Sequence, residues 1–282
     1  MSRSLLEARR LNKVFRGHRG FLGGRSVDHH AVKDVDLVAG DGETVVIIGE
    51  SGAGKSTAGR LVTRLIEPDA GSVFLMGTEV TALSQRELQR FRVHMQMVFQ
   101  DPHSSLNPRV RILDSVAEPL LVHTDLRTEE RRRQAGELLE RVGIPPASFR
   151  SRPRELSGGQ LQRVAIARAL SVNPRLIVCD EPVSALDVSI RAQVLNLMLD
   201  LKRDFNITYL FITHDLTLVP VLADHVVVMS KGEVVETGSP DAILNNPTHD
   251  YTRRLVQAMP SLVPKSRRTP VPDAFVPANG RP

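Results

Sequence analysis

Residues 49–57 read Gly49-Glu50-Ser51-Gly52-Ala53-Gly54-Lys55-Ser56-Thr57 and match the phosphate-binding pattern G-x-x-x-x-G-K-[ST]. The chemistry is a matter of backbone. Gly49, Gly52 and Gly54 let the chain curl until successive N–H groups point into one concavity. A helix that starts there adds the positive end of its dipole. Lys55 is placed to reach the outer phosphates, and the Ser56 hydroxyl to hold Mg²⁺. A chance glycine turn before a helix is the competing reading, and the flanks decide against it. Thr44-Val45-Val46-Ile47-Ile48 ahead of the loop is a β-branched apolar run, as in a buried strand. Leu61, Val62 and Leu65 behind it recur at helical spacing. The stretch therefore predicts a bound nucleoside triphosphate.

Two further stations could join it. Leu176-Ile177-Val178-Cys179-Asp180-Glu181 is an apolar strand ending in two carboxylates. Strand C-terminal ends line the ligand crevice of a parallel sheet. Asp180 is thus a candidate for the Mg²⁺ shell, and Glu181 for the base that orients or activates an attacking water. Many strands end in acids, so the phosphate loop upstream gives this pair its weight. Leu156-Ser157-Gly158-Gly159-Gln160 offers a hydroxyl and close-approach glycines ahead of a helical stretch. Taken alone it reads as a serine N-cap in a glycine turn.

The positioning elements follow from pattern. Strands are predicted over residues 5–14, 31–38, 72–76, 95–99, 176–179 and 209–213, and a hairpin around Lys231-Gly232. Residues 16–30, rich in Gly, Arg and His, read as a surface loop. Ser84 and Glu87 have capping-box spacing, which predicts a helix to about Arg92. Residues 101–113 read as loop. Thr128 is a candidate N-cap, with Ala135, Leu138, Leu139 and Val142 on one face of the helix after it. Roughly residues 101–155 form a helical insert, after which helices over 160–170 and 189–205 alternate with strands. That alternation argues an α/β fold with a mainly parallel sheet covered on both faces. Residues 261–282, with five prolines and few large apolar side chains, read as a flexible tail.

Composition narrows the class. The 282 residues are 41% hydrophobic, enough for a real core, and no apolar run nears the ~20 residues of a membrane span. With no leader pattern at the N-terminus, the sequence predicts a cytoplasmic location. One cysteine, Cys179, excludes a disulfide within the chain and a cysteine-rich metal cluster. The net charge of +5 admits an anionic partner, but two Tyr and no Trp leave few platforms for stacking bases, so no nucleic acid is expected.

Taken together, these motifs resemble those of the ATP-binding-cassette (ABC) ATPases. Leu156-Ser157-Gly158-Gly159-Gln160 is similar to the family's signature motif. Ser184-Ala185-Leu186-Asp187 resembles its D-loop, His214 its switch histidine and Gln100 its Q-loop glutamine, in the family's order and spacing. The resemblance covers about residues 5–258. It implies a phosphate-loop NTPase of the ABC type: a mainly parallel sheet with an antiparallel β subdomain and a helical subdomain. It also implies the roles. Gly49 to Thr57 would hold ATP, with Mg²⁺ on Ser56, Gln100 and Asp180. Glu181, His214 and Gln100 would serve catalysis. Ser157, Gly158, Gly159, Gln160 and Asp187 would complete the site of a facing subunit. Phe15 is the candidate for stacking on adenine, with ordinary core packing as the alternative.

Three stretches resemble the dipeptide and oligopeptide importers of the family: residues 98–108, residues 181–189 and residues 246–255. Leu161 and His103 depart from that pattern, away from the site. Relatives with an iron–sulfur centre carry several C-terminal cysteines, and no cysteine follows Cys179, so no cluster is expected. The implied organisation is an ATPase domain over 1–258, a C-terminal extension over about 238–260 and the tail. Implied partners are two transmembrane permease subunits, a second ATPase subunit (a paralogue or a second copy) and an extracytoplasmic solute-binding protein. The chain would sit on the cytoplasmic face of the inner membrane. Nickel or glutathione import fits the same motifs. A soluble cassette acting on DNA or ribosomes is a competing class, but one phosphate loop without sustained heptads disfavours it. A nucleotide kinase would leave Ser157 and His214 without a task.

Overall fold

The computed structural model describes residues 4–16 and 28–259. Most of the loop expected over 16–30, and the whole tail expected over 261–282, lie outside the described residues. The chain begins with β1 (Ser4–Phe15), β2 (His29–Gly40), β3 (Thr44–Ile48), α1 (Lys55–Val62), β4 (Ala70–Leu75) and β5 (Thr78–Glu79). Then come α2 (Gln85–Phe91), β6 (Met95–Val98), α3 (Pro102–Ser105), α4 (Ile112–His123), α5 (Thr128–Arg141) and α6 (Gly158–Leu170). The C-terminal part holds β7 (Leu176–Asp180), α7 (Val188–Phe205), β8 (Thr208–Ile212), α8 (Val219–Leu222), β9 (His225–Ser230), β10 (Glu233–Gly238), α9 (Pro240–Asn245) and α10 (Asp250–Gln257).

Two sheets result. One is antiparallel, in the order β2-β1-β4-β5. The other has the order β10-β9-β3-β8-β7-β6 and is parallel except for the β9–β10 hairpin. Its inner strands β3, β7 and β8 are near-continuous apolar runs because both faces are buried. Successive side chains point to opposite faces. Val45 and Ile47 of β3 therefore join one core, with α1 and the antiparallel sheet. Val46 and Ile48 join another, with α4 to α7. The same split runs through β7, where Val178 faces the first core and Ile177 and Cys179 the second. Burial pushes the Cys179 thiol far up, so it stays a neutral core side chain.

Helices α4, α5 and α6 pack on one another. Two local expectations need correction here. Residues 101–113 are not all loop. Asp101 caps the short α3 by accepting the His103 N–H at 2.9 Å, Pro102 fits its first turn, and α4 already starts at Ile112. Thr128 is not an N-cap. Arg127 holds that position, and the Thr128 hydroxyl instead accepts from Arg131 at 3.0 Å. Ser84 and Glu87 form the reciprocal capping box that their spacing predicted. Among the described residues, no helix is long and apolar enough to cross a membrane.

Candidate active site

The loop between β3 and α1 is shaped by two close approaches. A Cβ on Gly49 would fall 2.2 Å from the Met229 carbonyl oxygen, and one on Gly54 would fall 2.2 Å from that of Ala31. Both glycines also have positive φ, so a side chain is excluded twice. Within the loop, the Ala53 N–H donates to Glu50 O at 3.2 Å, and Ala53 O accepts the Gly232 N–H at 3.0 Å. Lys55 is 5% exposed and donates through Nζ to Gly49 O and Glu50 O, each at 2.8 Å. Burial lowers its pKa, while the carboxylates of Glu181, Asp180 and Glu50 favour the charged form.

The acids stand opposite. Ser56 Oγ donates to Asp180 Oδ1 at 2.6 Å. Asp180 is 4% exposed, with Arg60 at 3.9 Å. Burial raises its carboxyl pKa against the lowering effect of the Ser56 hydrogen bond and Arg60. Glu181 follows directly on β7 with φ of 47°, in the left-handed region that a glutamate rarely adopts. Its N–H is held by Ile212 O at 2.9 Å. Its carboxylate accepts Gln100 Nε2 at 3.2 Å on one oxygen and lies 3.1 Å from His214 Nδ1 on the other. Gln100, Glu181 and His214 thus come from the C-terminal ends of β6, β7 and β8, which are neighbours in the sheet.

These groups border one open cavity of about 570 Å³. Ser51, Gly52, Gly54, Lys55, Ser56, Thr57, Gln100, Glu181, His214 and Phe15 line it, along with His29 and Ala31. Phe15 is 40% exposed and belongs to neither core, with Lys13 Nζ 5.9 Å from its ring centroid. Gly49, Glu50 and Ala53 stand behind the loop rather than in the lining, and Asp180 stands behind Ser56.

Ser157, Gly158, Gly159, Gln160 and Asp187 do not line this cavity. Ser157 caps α6 in a reciprocal box with Gln160, so the local capping reading of this segment holds. Ser157 and Gly158 are exposed all the same, while Gly159 is buried against Ile190 of α7. Asp187 is the exposed N-cap position of α7 and makes no side-chain capping bond there.

Sequence reasoning missed several neighbours of the site. His29 and Ala31 enter the lining from β2. Arg191 of α7 pairs with Asp215 at 2.9 Å, beside His214. Tyr251 of α10 accepts the Glu50 N–H at 2.9 Å. No local pattern announces them, since each partner is distant in the chain.

Comparison with known proteins agrees with this geometry. The family profile described as ABC transporter matches residues 32–184, and that described as oligopeptide/dipeptide transporter, C-terminal region, matches residues 235–279. The glutathione import ATP-binding protein GsiA of Shigella flexneri is 46% identical over 264 residues, 94% of this chain and 42% of that protein. Its namesake in Escherichia coli gives the same figures. The chain thus spans less than half the length of these curated relatives. Among solved structures, the dimeric post-hydrolysis state of the ATP-binding cassette MJ0796, bound to ADP and Pi, is 31% identical. That match covers 83% of this chain and 98% of that one, with a TM-score of 0.74. The cassette cbiO1 of Clostridium perfringens, part of the transporter complex cbiONQ, is 28% identical over 86% of this chain and 91% of its own, with a TM-score of 0.72. The chain belongs to the ABC transporter family, as an ATP-binding and ATP-hydrolysing cassette that carries the C-terminal region of oligopeptide/dipeptide transporters.

Proposed function

We propose that ATP hydrolysis by this chain powers the import of short peptides, glutathione among them, from the cytoplasmic face of a membrane. The C-terminal family match over 235–279 and the names of the relatives support the substrate class. The observation that carries the mechanism is Glu181, whose carboxylate lies between Gln100 and His214 in the cavity that Lys55 and Ser56 also line.

In this reading, the loop over 49–57 wraps the triphosphate with the N–H groups of its cavity-lining residues, Ser51, Gly52 and Gly54 to Thr57. Lys55 leaves the carbonyls of Gly49 and Glu50 to pair with phosphate oxygens. Glu181 is the general base that takes a proton from the attacking water. His214 and Gln100 hold the carboxylate and the reacting end of the nucleotide in register, and Phe15 covers the adenine. The donors around Ser56 are all oxygens: its hydroxyl, the Asp180 carboxylate and the Gln100 amide. That set suits a hard cation such as Mg²⁺. When bound there, Mg²⁺ would neutralise phosphate charge.

Ser157 to Gln160, together with Asp187, complete the site of a second ATPase subunit, and the exposure of Ser157, Gly158 and Asp187 supports this. So does the dimeric state of the similar cassette MJ0796. Residues 101–155 are the helical insert and residues 238–260 the extension. A groove of about 350 Å³ between β6, α4 and α6 is lined by Met97, Phe99, Pro119 and Val122. Arg92, Gln96, Glu118 and Arg168 line it as well, so it suits an amphipathic segment of a permease subunit. Two such subunits and an external binding protein complete the importer.

The test is Glu181→Gln. ATP turnover should fall at least ~100-fold, the scale of lost general-base catalysis, while ATP still binds and closed dimers accumulate. Wild-type turnover in that variant removes Glu181 from the role. Uptake of labelled glutathione or dipeptides by the reassembled complex tests the substrate class, and failure with both would overturn it.

A further inference from the structure

Tyr251 stands in the first turn of α10, 201 positions from the phosphate loop, yet its hydroxyl accepts the Glu50 N–H at 2.9 Å. The Glu50 carbonyl is engaged as well, by Lys55 Nζ at 2.8 Å and by the Ala53 N–H at 3.2 Å. One loop residue is therefore gripped from both sides, by the C-terminal helix through its N–H and by the loop lysine through its C=O.

The helix has its own seat. On β10, the Glu236 carboxylate accepts the Thr248 N–H at 2.7 Å, the Thr248 hydroxyl at 2.8 Å and the His249 N–H at 3.1 Å. His249 Nδ1 accepts the Tyr251 N–H at 3.1 Å and so caps α10. Thr252 is fully buried in the same turn. Strand β10 pairs with β9, β9 pairs with β3, and β3 runs into the loop. The β9–β10 turn touches the loop too, through the Gly232 N–H. These contacts close a ring that leaves the loop by β3 and returns to it by Tyr251.

We propose that Tyr251 is a positioning residue for the nucleotide site, holding the phosphate loop through Glu50, so that the C-terminal extension helps to set ATP affinity. This rests on reading residues 49–57 as the ATP site. Lys55 gives up two loop carbonyls when it turns to phosphate, and those carbonyls no longer brace the curl. The Tyr251 bond does not compete with ATP and keeps Glu50 in place. The N–H cradle is then formed before the ligand arrives, and less ordering remains to be done on binding. Glu50 meets no reacting atom, so the effect falls on ground state and transition state alike.

Tyr251→Phe keeps the ring and removes only the acceptor. In the full chain titrated with ATP, Kd and KM should rise about fivefold, the worth of one neutral hydrogen bond in an equilibrium constant. The kcat should stay within about twofold. Amide exchange over residues 49–57 should quicken, while the nucleotide-free thermal midpoint falls by no more than about 2–4 °C, the scale of one such bond in a chain of this size. An unchanged Kd with unchanged exchange overturns the proposal. So does a fall in kcat at constant KM, or a large drop in midpoint with both parameters damaged, which would make Tyr251 a support of the fold alone. Lys55→Ala separates the two levels of the claim. If that variant binds ATP as the wild type does, the site itself is misread. If it loses ATP while Tyr251→Phe keeps full affinity, only the role of Tyr251 is lost.

Discussion

Replacing Ser157 by aspartate separates two tasks assigned to one exposed side chain. The first is capping: Ser157 Oγ accepts the Gln160 N–H at 3.4 Å, and Gln160 Oε1 accepts the Ser157 N–H at 3.0 Å. Aspartate caps helices as well as serine does, and its charge suits the positive end of the helix dipole. Fold stability should therefore hold to about 0.5 kcal/mol, or roughly 1–2 °C in thermal midpoint for a chain of this size. The second task is the proposed one, donating a hydrogen bond to the triphosphate of a facing subunit. A carboxylate has no proton to donate and carries the sign of the phosphate. At ~4 Å from one unit of phosphate charge and an effective dielectric constant of ~20, the repulsion is about 4 kcal/mol. That is nearly 1,000-fold in the constant for closing the site. The assay compares midpoint, ATP binding, light scattering with ATP, and turnover. Midpoint and single-chain ATP binding should match wild type, the ATP-dependent dimer should vanish, and turnover should fall at least ~100-fold. Ser157→Ala is the reference. It loses the cap, at the lower end of the usual ~0.5–2 kcal/mol because the bond is long, so its midpoint falls below that of the aspartate variant. It adds no charge, so its turnover falls less. Wild-type turnover in Ser157→Asp would make the serine a cap and nothing more, and the two-subunit site would go with it.

Two further outcomes are open to measurement. A Cβ on Gly159 would lie 2.4 Å from Ile190 Cγ2, so Gly159→Ala should destabilise by about 1–3 kcal/mol through overpacking of α6 on α7. Ile190→Ala in the same chain should recover at least ~1 kcal/mol of that, and strictly additive single effects would refute the contact. Burial alone would raise the pKa of Glu236, but the nearby Thr252 hydroxyl and the hydrogen bonds from Thr248 and His249 together outweigh it and hold the carboxyl at about 2 against an ordinary 4.5. The buried Thr252 hydroxyl faces the same carboxylate outside hydrogen-bond geometry. A depressed carboxyl pKa gives stability that is full above 4.5 and fades as pH falls towards about 2. Amide protection of α10 should weaken over that window in the wild type and show a flatter profile in Glu236→Gln. Identical profiles in the two chains would sink the idea.

Much of the scaffold was legible because its signals are local. The run Thr44 to Ile48 is apolar on both faces, since alternate side chains feed different cores. Ser84 with Glu87 announced a helix start through spacing alone. The phosphate loop and the two carboxylates at the end of β7 could be placed at strand ends for the same reason. What escaped depends on long-range closure or on competition for a hydrogen bond. Thr128 looked like a cap, but Arg131 engages its hydroxyl and Arg127 takes the cap position. The short α3 has too few residues to show a period, although Asp101-Pro102 carried its start signal. His29 reaches the cavity only because β2 folds back on β1, and Tyr251 reaches Glu50 across most of the chain. The signature segment was ambiguous in sequence, and its geometry explains why. One serine satisfies the local helix end and still faces solvent.

The φ of 47° at Glu181 bears on the history of such a protein. Glycine, and to a lesser degree asparagine, sits comfortably where glutamate does not. A chain that lost its chemistry at this spot would gain backbone ease in the same stroke. Inactive descendants would then be hardier than working ones. In the proposed role of general base, glutamate is held on a slope there by demand for turnover, and idle duplicates should slide first at this position.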